Sequence, residues 1–136
     1  MANLALLTAN RVEVVESIEH MTLPAGEAIT AGMAVRIDVS TGKFTAANGT
    51  DAAESRIYGV ATKTVAAGLA VTAIRRGVLD GYALTGQAYD AAIYLSDTDG
   101  TLADSAGTVS TVVGRVIPAT AAVIGAAFDK LLLISL

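Results

Sequence analysis

The stretch I93-Y-L-S-D-T-D-G-T-L-A-D-S105 decides the fold, because it can be read in two incompatible ways. An apolar run, Ile93 to Leu95, delivers Asp97, and a second acid, Asp99, follows two residues on, just before Gly100 and Thr101. In one reading Asp97 is a nucleophile and Asp99 a general acid/base, both at the end of a parallel strand. In the other, Ser-Asp-Thr-Asp-Gly is a turn in which the Asp side chains cap local N–H groups and the Gly takes the left-handed conformation.

The first reading is the opening motif of the haloacid-dehalogenase-type phosphohydrolases, and it needs more than two carboxylates. Mg²⁺ must be held by the pair and by further acids, and a Lys or Arg must balance the phosphate. Those groups sit on later parallel strands, each returned by a crossover helix that takes about 30 residues or more per βαβ unit. Too little chain follows Asp99, and it carries only Asp104 and Asp129 as acids. A Mg-dependent phosphohydrolase on Asp97 and Asp99 is therefore the alternative, not the expectation. Calcium is the next reading, since Asp97, Asp99 and Asp104 could supply oxygens from one loop, but counted from Asp97 the Gly comes too early for an EF-hand and no Glu closes the loop, which leaves at most a weak adventitious cation site. The turn reading is the one adopted.

Working outward, β signals dominate. A34-V-R-I-D-V39, a turn at S40-T-G42 and K43-F-T-A-A47 read as a hairpin. R56-I-Y-G-V-A-T-K-T-V65, L69-A-V-T-A-I-R-R-G-V-L79, A91-A-I-Y-L95, T108-V-S-T-V-V-G-R-V-I117 and D129-K-L-L-L-I-S-L136 read as further strands. R11-V-E-V-V-E-S-I-E-H-M21 could be helical, but its β-branched content favours an extended segment or strand. T120-A-A-V-I-G-A-A-F128 could form one short helical turn. A31-G-M-A-V35 and A67-G-L-A-V71 echo each other, each a turn that feeds a strand; chance and duplication explain the echo equally well. Strands this regular, with little helix between them, predict an all-β single domain: a small β-barrel or sandwich.

Composition removes whole classes of function. The 136 residues suit one domain. There is no Cys, so disulfides, thiolate metal sites and cysteine nucleophiles are excluded. A net charge of −4, with no basic cluster larger than Arg75-Arg76, argues against nucleic acid as a partner. Arg75-Arg76 itself reads as a solvated strand end. Met1 to Asn10 lacks the basic residues of a secretion signal, and no apolar run approaches the ~20 residues that cross a bilayer, so a soluble protein is expected. His20 is the only His, so no His-rich metal site can be built; a Ser-His-Asp triad is combinatorially possible, but no Gly-x-Ser-x-Gly elbow frames any Ser, and a strand surface or an interface is the expected place of His20. The four Tyr are scattered and make no stacking platform.

One likeness runs over most of the chain, from about Leu23 to Leu136. L23-P-A-G-E-A-I-T-A-G-M-A-V-R-I-D38, G42-K-F-T-A-A-N-G-T50, I57-Y-G-V-A-T-K-T-V-A-A-G68, G77-V-L-D-G-Y-A-L84, Y89-D-A-A-I-Y-L-S-D-T-D-G-T-L-A-D104, G107-T-V-S-T-V-V-G-R-V-I117 with Pro118 after it, and the final D129-K-L-L-L-I-S-L136 together resemble the bacteriophage head-decoration, or capsid cement, proteins. The resemblance implies a β-tulip-like body, residues 23–136, behind an N-terminal arm or first extended segment, residues 1–22. It implies a homotrimer on the outer face of the virion capsid, made in the host bacterial cytoplasm, with the phage major capsid protein as partner. No catalysis, cofactor, metal, nucleic acid, membrane or small-molecule substrate is implied. Another phage structural component, of the tail or a head fibre, is the neighbouring alternative. Ala2 to Leu7 is apolar but poorly patterned for a core, which makes Asn3, Leu4, Leu6 and Leu7 the candidate capsid or subunit contacts.

Overall fold

The structure is a computed structural model that describes residues 2–119 and 130–136. The short helical turn expected over 120–128 lies outside the described residues. Among the described residues nine strands are present: β1 (Glu13–Pro24), β2 (Ala34–Ile37), β3 (Phe44–Ala46), β4 (Ile57–Ala61), β5 (Ala70–Asp80), β6 (Ala92–Leu95), β7 (Leu102–Ala103), β8 (Val112–Pro118) and β9 (Lys130–Ser135). The fold is all-β: an antiparallel sheet, curled into a half-barrel, in the order β3-β2-β4-β5-β9-β8-β6-β7, with β1 joined to β5 outside that path.

β5 is the spine. Along its whole length it pairs with β1, from Ala70↔Pro24 to Asp80↔Glu13. Ala73 and Ile74 also pair with β4, and Arg76 to Leu79 pair with β9. An 11-residue strand is needed to serve three neighbours, and the run from Ala70 to Asp80 contains no Pro to interrupt it.

The sheet carries apolar packing on both faces around β2, β4 and β5. Successive side chains on a strand point to opposite faces. Ala34, Val60 and Ile74 join one buried cluster with Leu79, Ile93, Leu95, Val113, Leu132 and others. Their chain neighbours Val35, Ala61 and Ala73 join a second cluster with Ala25, Ile29, Phe44 and Val71. Small side chains allow two such layers in a small domain.

Backbone approaches are close where strands cross. A Cβ on Gly114 of β8 would lie 1.9 Å from the Leu133 carbonyl oxygen, and one on Gly59 of β4 would lie 2.3 Å from that of Ile74. The expected β2–β3 hairpin forms, closed by Asp38 N–H to the Lys43 carbonyl at 2.8 Å. The two echoed turns also match: Gly32 and Gly68 adopt φ of 85° and 88°, just before β2 and β5.

Candidate functional site

The Asp97 and Asp99 carboxylates turn away to different partners. Asp97 accepts from Thr108 N–H and Oγ1, each at 2.8 Å. Backbone crowds it: a Cβ at Gly107 would stand 2.5 Å from its Oδ1 and one at Gly49 3.1 Å. Asp99 accepts from Asn48 Nδ2 at 2.5 Å, and the same nitrogen reaches Glu54 Oε2 at 2.6 Å. Asn48 is buried, and its own Oδ1 takes Thr50 N–H and Oγ1. Gly100, at φ 66°, lets the chain reverse into β7. The aspartates thus tie the β6–β7 connection to two other loops. The strands around them are antiparallel, not the parallel strands with crossover helices that the phosphotransfer motif needs. Among the described residues no group of three or more His, Asp or Glu side chains is placed to hold a metal.

The N-terminal segment lies on the body. Asn3 bridges Ala103, and its side chain accepts from Ser96 Oγ at 2.6 Å while its amide donates to Thr98 Oγ1 at 3.2 Å. Leu6 bridges Tyr82, and Leu4 N–H donates to the Leu102 carbonyl at 2.8 Å. Leu4 and Leu6 pack against the larger core cluster, whereas Leu7 is 68% exposed. Of the four candidate contact residues, Asn3 and Leu7 are exposed, and Leu7 is the apolar one.

The most exposed strand is β1, within the segment read from the sequence as extended or a strand. Eleven of its 12 residues are exposed. Val14, Val15, Ile18 and Met21 show between 38% and 63% of their surfaces. Among the described residues β1 pairs with β5 alone, so its other edge is open. The sheet's other ends are treated differently: Phe44 of β3 is bridged by Ala25, and Ala103 of β7 by Asn3. The ladder to β5 slips at Val15 and at Ile18, so both are bulge residues. Bulges and charges on an edge hinder indiscriminate strand pairing.

The charges on β1 are partly matched within the chain. Glu13 pairs with Arg11 at 2.5 Å and Glu19 with Arg75 at 3.2 Å. Glu16 forms no ion pair among the described residues. His20 is on the strand surface, with its Nδ1 2.8 Å from Ser17 Oγ.

Arg75 sits in the middle of β5, not at a strand end as its sequence context implied. It is 5.4 Å from the Tyr58 ring centroid, and Tyr58 in turn lies 5.6 Å from Phe44. A groove of about 530 Å³ runs here, walled by Ile37, Val39, Ile57, Tyr58, Arg56 and Arg75. Desolvation, and then the charge of Glu19, raise the Tyr58 phenol above its ordinary pKa, against the opposing pull of Arg75. Val39 stands at the groove 93% exposed. An apolar wall with a cationic rim suits protein contact. A cue for β1 was present in the sequence: E13-V-V-E-S-I-E-H-M21 repeats its glutamates every third residue, so no period-2 face is wholly apolar and neither face could be buried.

No family model matches the chain, and no curated protein or solved structure is significantly similar to it.

Proposed function

We propose that this chain is a structural virion protein that binds the outer surface of a phage capsid lattice, as a homotrimer, and stabilises the mature DNA-filled head without catalysing a reaction. The observation that carries the reading is the surface of β1: a long strand with an open edge and both faces in solvent, on a body whose other sheet ends are covered. Such a surface is completed by protein. The resemblance of residues 23–136 to capsid cement proteins supports that choice of partner.

The mechanism is linkage. A ligand that binds only the assembled lattice shifts the equilibrium away from disassembly, and repetition over the shell multiplies modest contacts by avidity. An acidic body with few aromatics stays soluble until it meets the lattice. Leu7, outward from an otherwise anchored segment, is the contact assigned to the capsid or a neighbouring subunit.

Co-sedimentation with empty expanded capsids, followed by heating of the decorated shells, tests the proposal. Binding together with a higher disruption temperature is expected, and both should weaken with Leu7→Asp. Failure to sediment with capsids, or shells that disrupt at the undecorated temperature, overturns it.

A further inference from the structure

The geometry points to a second copy of this chain as the occupant of the open β1 edge, paired antiparallel about a two-fold axis at Ile18. The inference stands on β1 itself and not on the capsid reading. A two-fold contact is self-complementary, so the residues of β1 must suit one another in reverse order. The strand passes that test in one register. Centred on Ile18, it sets Glu16 opposite His20 on both sides of the axis, and Val15 opposite Met21.

The match uses groups the fold leaves over. Glu13 and Glu19 already have arginine partners, whereas Glu16 has none among the described residues. His20, the only His in the chain, has Nδ1 beside Ser17, which leaves Nε2 for a carboxylate across the axis. The apolar pairs join the side chains that β1 exposes, with the most exposed of them, Ile18, meeting its own copy. Opposite-charge and apolar cross-strand pairs stabilise an antiparallel ladder, and like charges opposite one another destabilise it.

Neighbouring registers fail by the same rule. Centred on Glu16, the pairing sets Glu16 against itself and Glu13 against Glu19; centred on Glu19, it sets Glu19 against itself. Centred on Ser17, it sets Glu16 opposite Ile18 and Val15 opposite Glu19. The bulge at Ile18 also selects for self-pairing. A regular foreign strand meets an interrupted ladder there, whereas a second β1 brings the same irregularity to the same point on the axis. The contact is distinct from the three-fold proposed above. An icosahedral lattice supplies both, since two-fold axes lie between its three-fold positions.

Cysteine scanning reads the register directly, because the chain has no Cys of its own. Directly opposed residues of an antiparallel pair lie about 4.5–5.5 Å apart at Cα, within disulfide range. Under mild oxidation Ile18→Cys should form a disulfide-linked dimer. Val15→Cys mixed with Met21→Cys should form the hetero-linked dimer, with little linkage in either alone. In sedimentation equilibrium, His20→Glu should weaken association about tenfold, since two symmetry-related pairs are lost together. His20→Glu combined with Glu16→Lys should restore it. Linkage through Ser17→Cys in preference to Ile18→Cys, no linkage at concentrations where the native chain associates, a native chain that stays monomeric, or no rescue by the double variant overturns the pairing. Circular dichroism of each variant separates lost pairing from lost folding. A shell that fails to bind a chain that still cross-links at Ile18 refutes the capsid reading alone.

Discussion

The Tyr82 hydroxyl donates to the Gly32 carbonyl oxygen at 2.6 Å inside the core, joining the end of β5 to the turn before β2 across 50 residues of sequence. Tyr82 is buried, and burial pushes its phenol well above the ordinary value of 10.0. Tyr82→Phe removes the donor and leaves a buried carbonyl unpaired, a loss of about 1–3 kcal/mol measurable by urea unfolding. The pH dependence has a defined sign. A phenol whose pKa is raised by folding contributes stability that is fully present below 10.0 and is lost as pH rises toward the folded value, because only the unfolded state releases the proton. The alkaline decline in stability should therefore be shallower in Tyr82→Phe than in the native chain.

Gly114 and Leu133 set a second limit. With a Cβ 1.9 Å from the Leu133 carbonyl oxygen, Gly114→Ala must push β8 from β9, at about 3 kcal/mol or more. Gly68→Ala is the control. Its φ of 88° strains an alanine, but nothing lies within 4 Å of the new methyl, so about 1–2 kcal/mol is expected. Thermal denaturation of the two variants should show the larger loss at Gly114.

Asp97→Asn and Asp99→Asn should behave as stability variants. Asp97→Asn weakens two hydrogen bonds to Thr108, at about 1–3 kcal/mol. Neither change should alter background hydrolysis of a generic phosphoester, and millimolar Mg²⁺ should not raise the melting temperature of the native chain. Calorimetry with and without the ion reads the second outcome.

Asp104 anchors the N-terminal segment. Its carboxylate accepts the Ala2 N–H at 2.9 Å, and that bond leads the interactions that hold its pKa below the ordinary 3.8. For a depressed carboxyl the contribution is present above 3.8 and is lost as pH falls through the lower folded value. Acidification below that point should lower the protection of the Leu4 and Leu7 amides, whose N–H groups bond the body, relative to the intrinsic exchange rate at the same pH. Asp104→Asn should show the same loss of protection at neutral pH.

Much of the fold was legible in local pattern. The runs at 34–39, 43–47, 69–79 and 91–95 became β2, β3, β5 and β6 within a few residues, because β-branched side chains bounded by turn residues decide locally. The run at 56–65 was read too long. The strand stops at Ala61, and Val65 turns to bridge Ile29 over the second cluster. β7 lay hidden in the Asp-rich turn; two residues, Leu102 and Ala103, cannot show a period. β1 outran its expected end: Thr22 to Pro24 stay in register with β5, because Pro is tolerated at a strand end on an edge. At Asp97 the scarcity of helix signals between the strands was enough to favour a turn. The groove at Arg56 and Arg75 was not legible, since it depends on which strands become neighbours, and that is fixed by pairings tens of residues apart.

The strand order also governs when the molecule can form during synthesis. β9 is the most C-terminal of the nine strands, yet it lies between β5 and β8. Until residues 130–135 leave the ribosome, Arg76 to Leu79 of β5 and Gly114 to Pro118 of β8 lack the neighbour that unites the sheet. The central slot stays empty until then, and β9 enters it after its neighbours have been made, at the slow pace of long-range pairing.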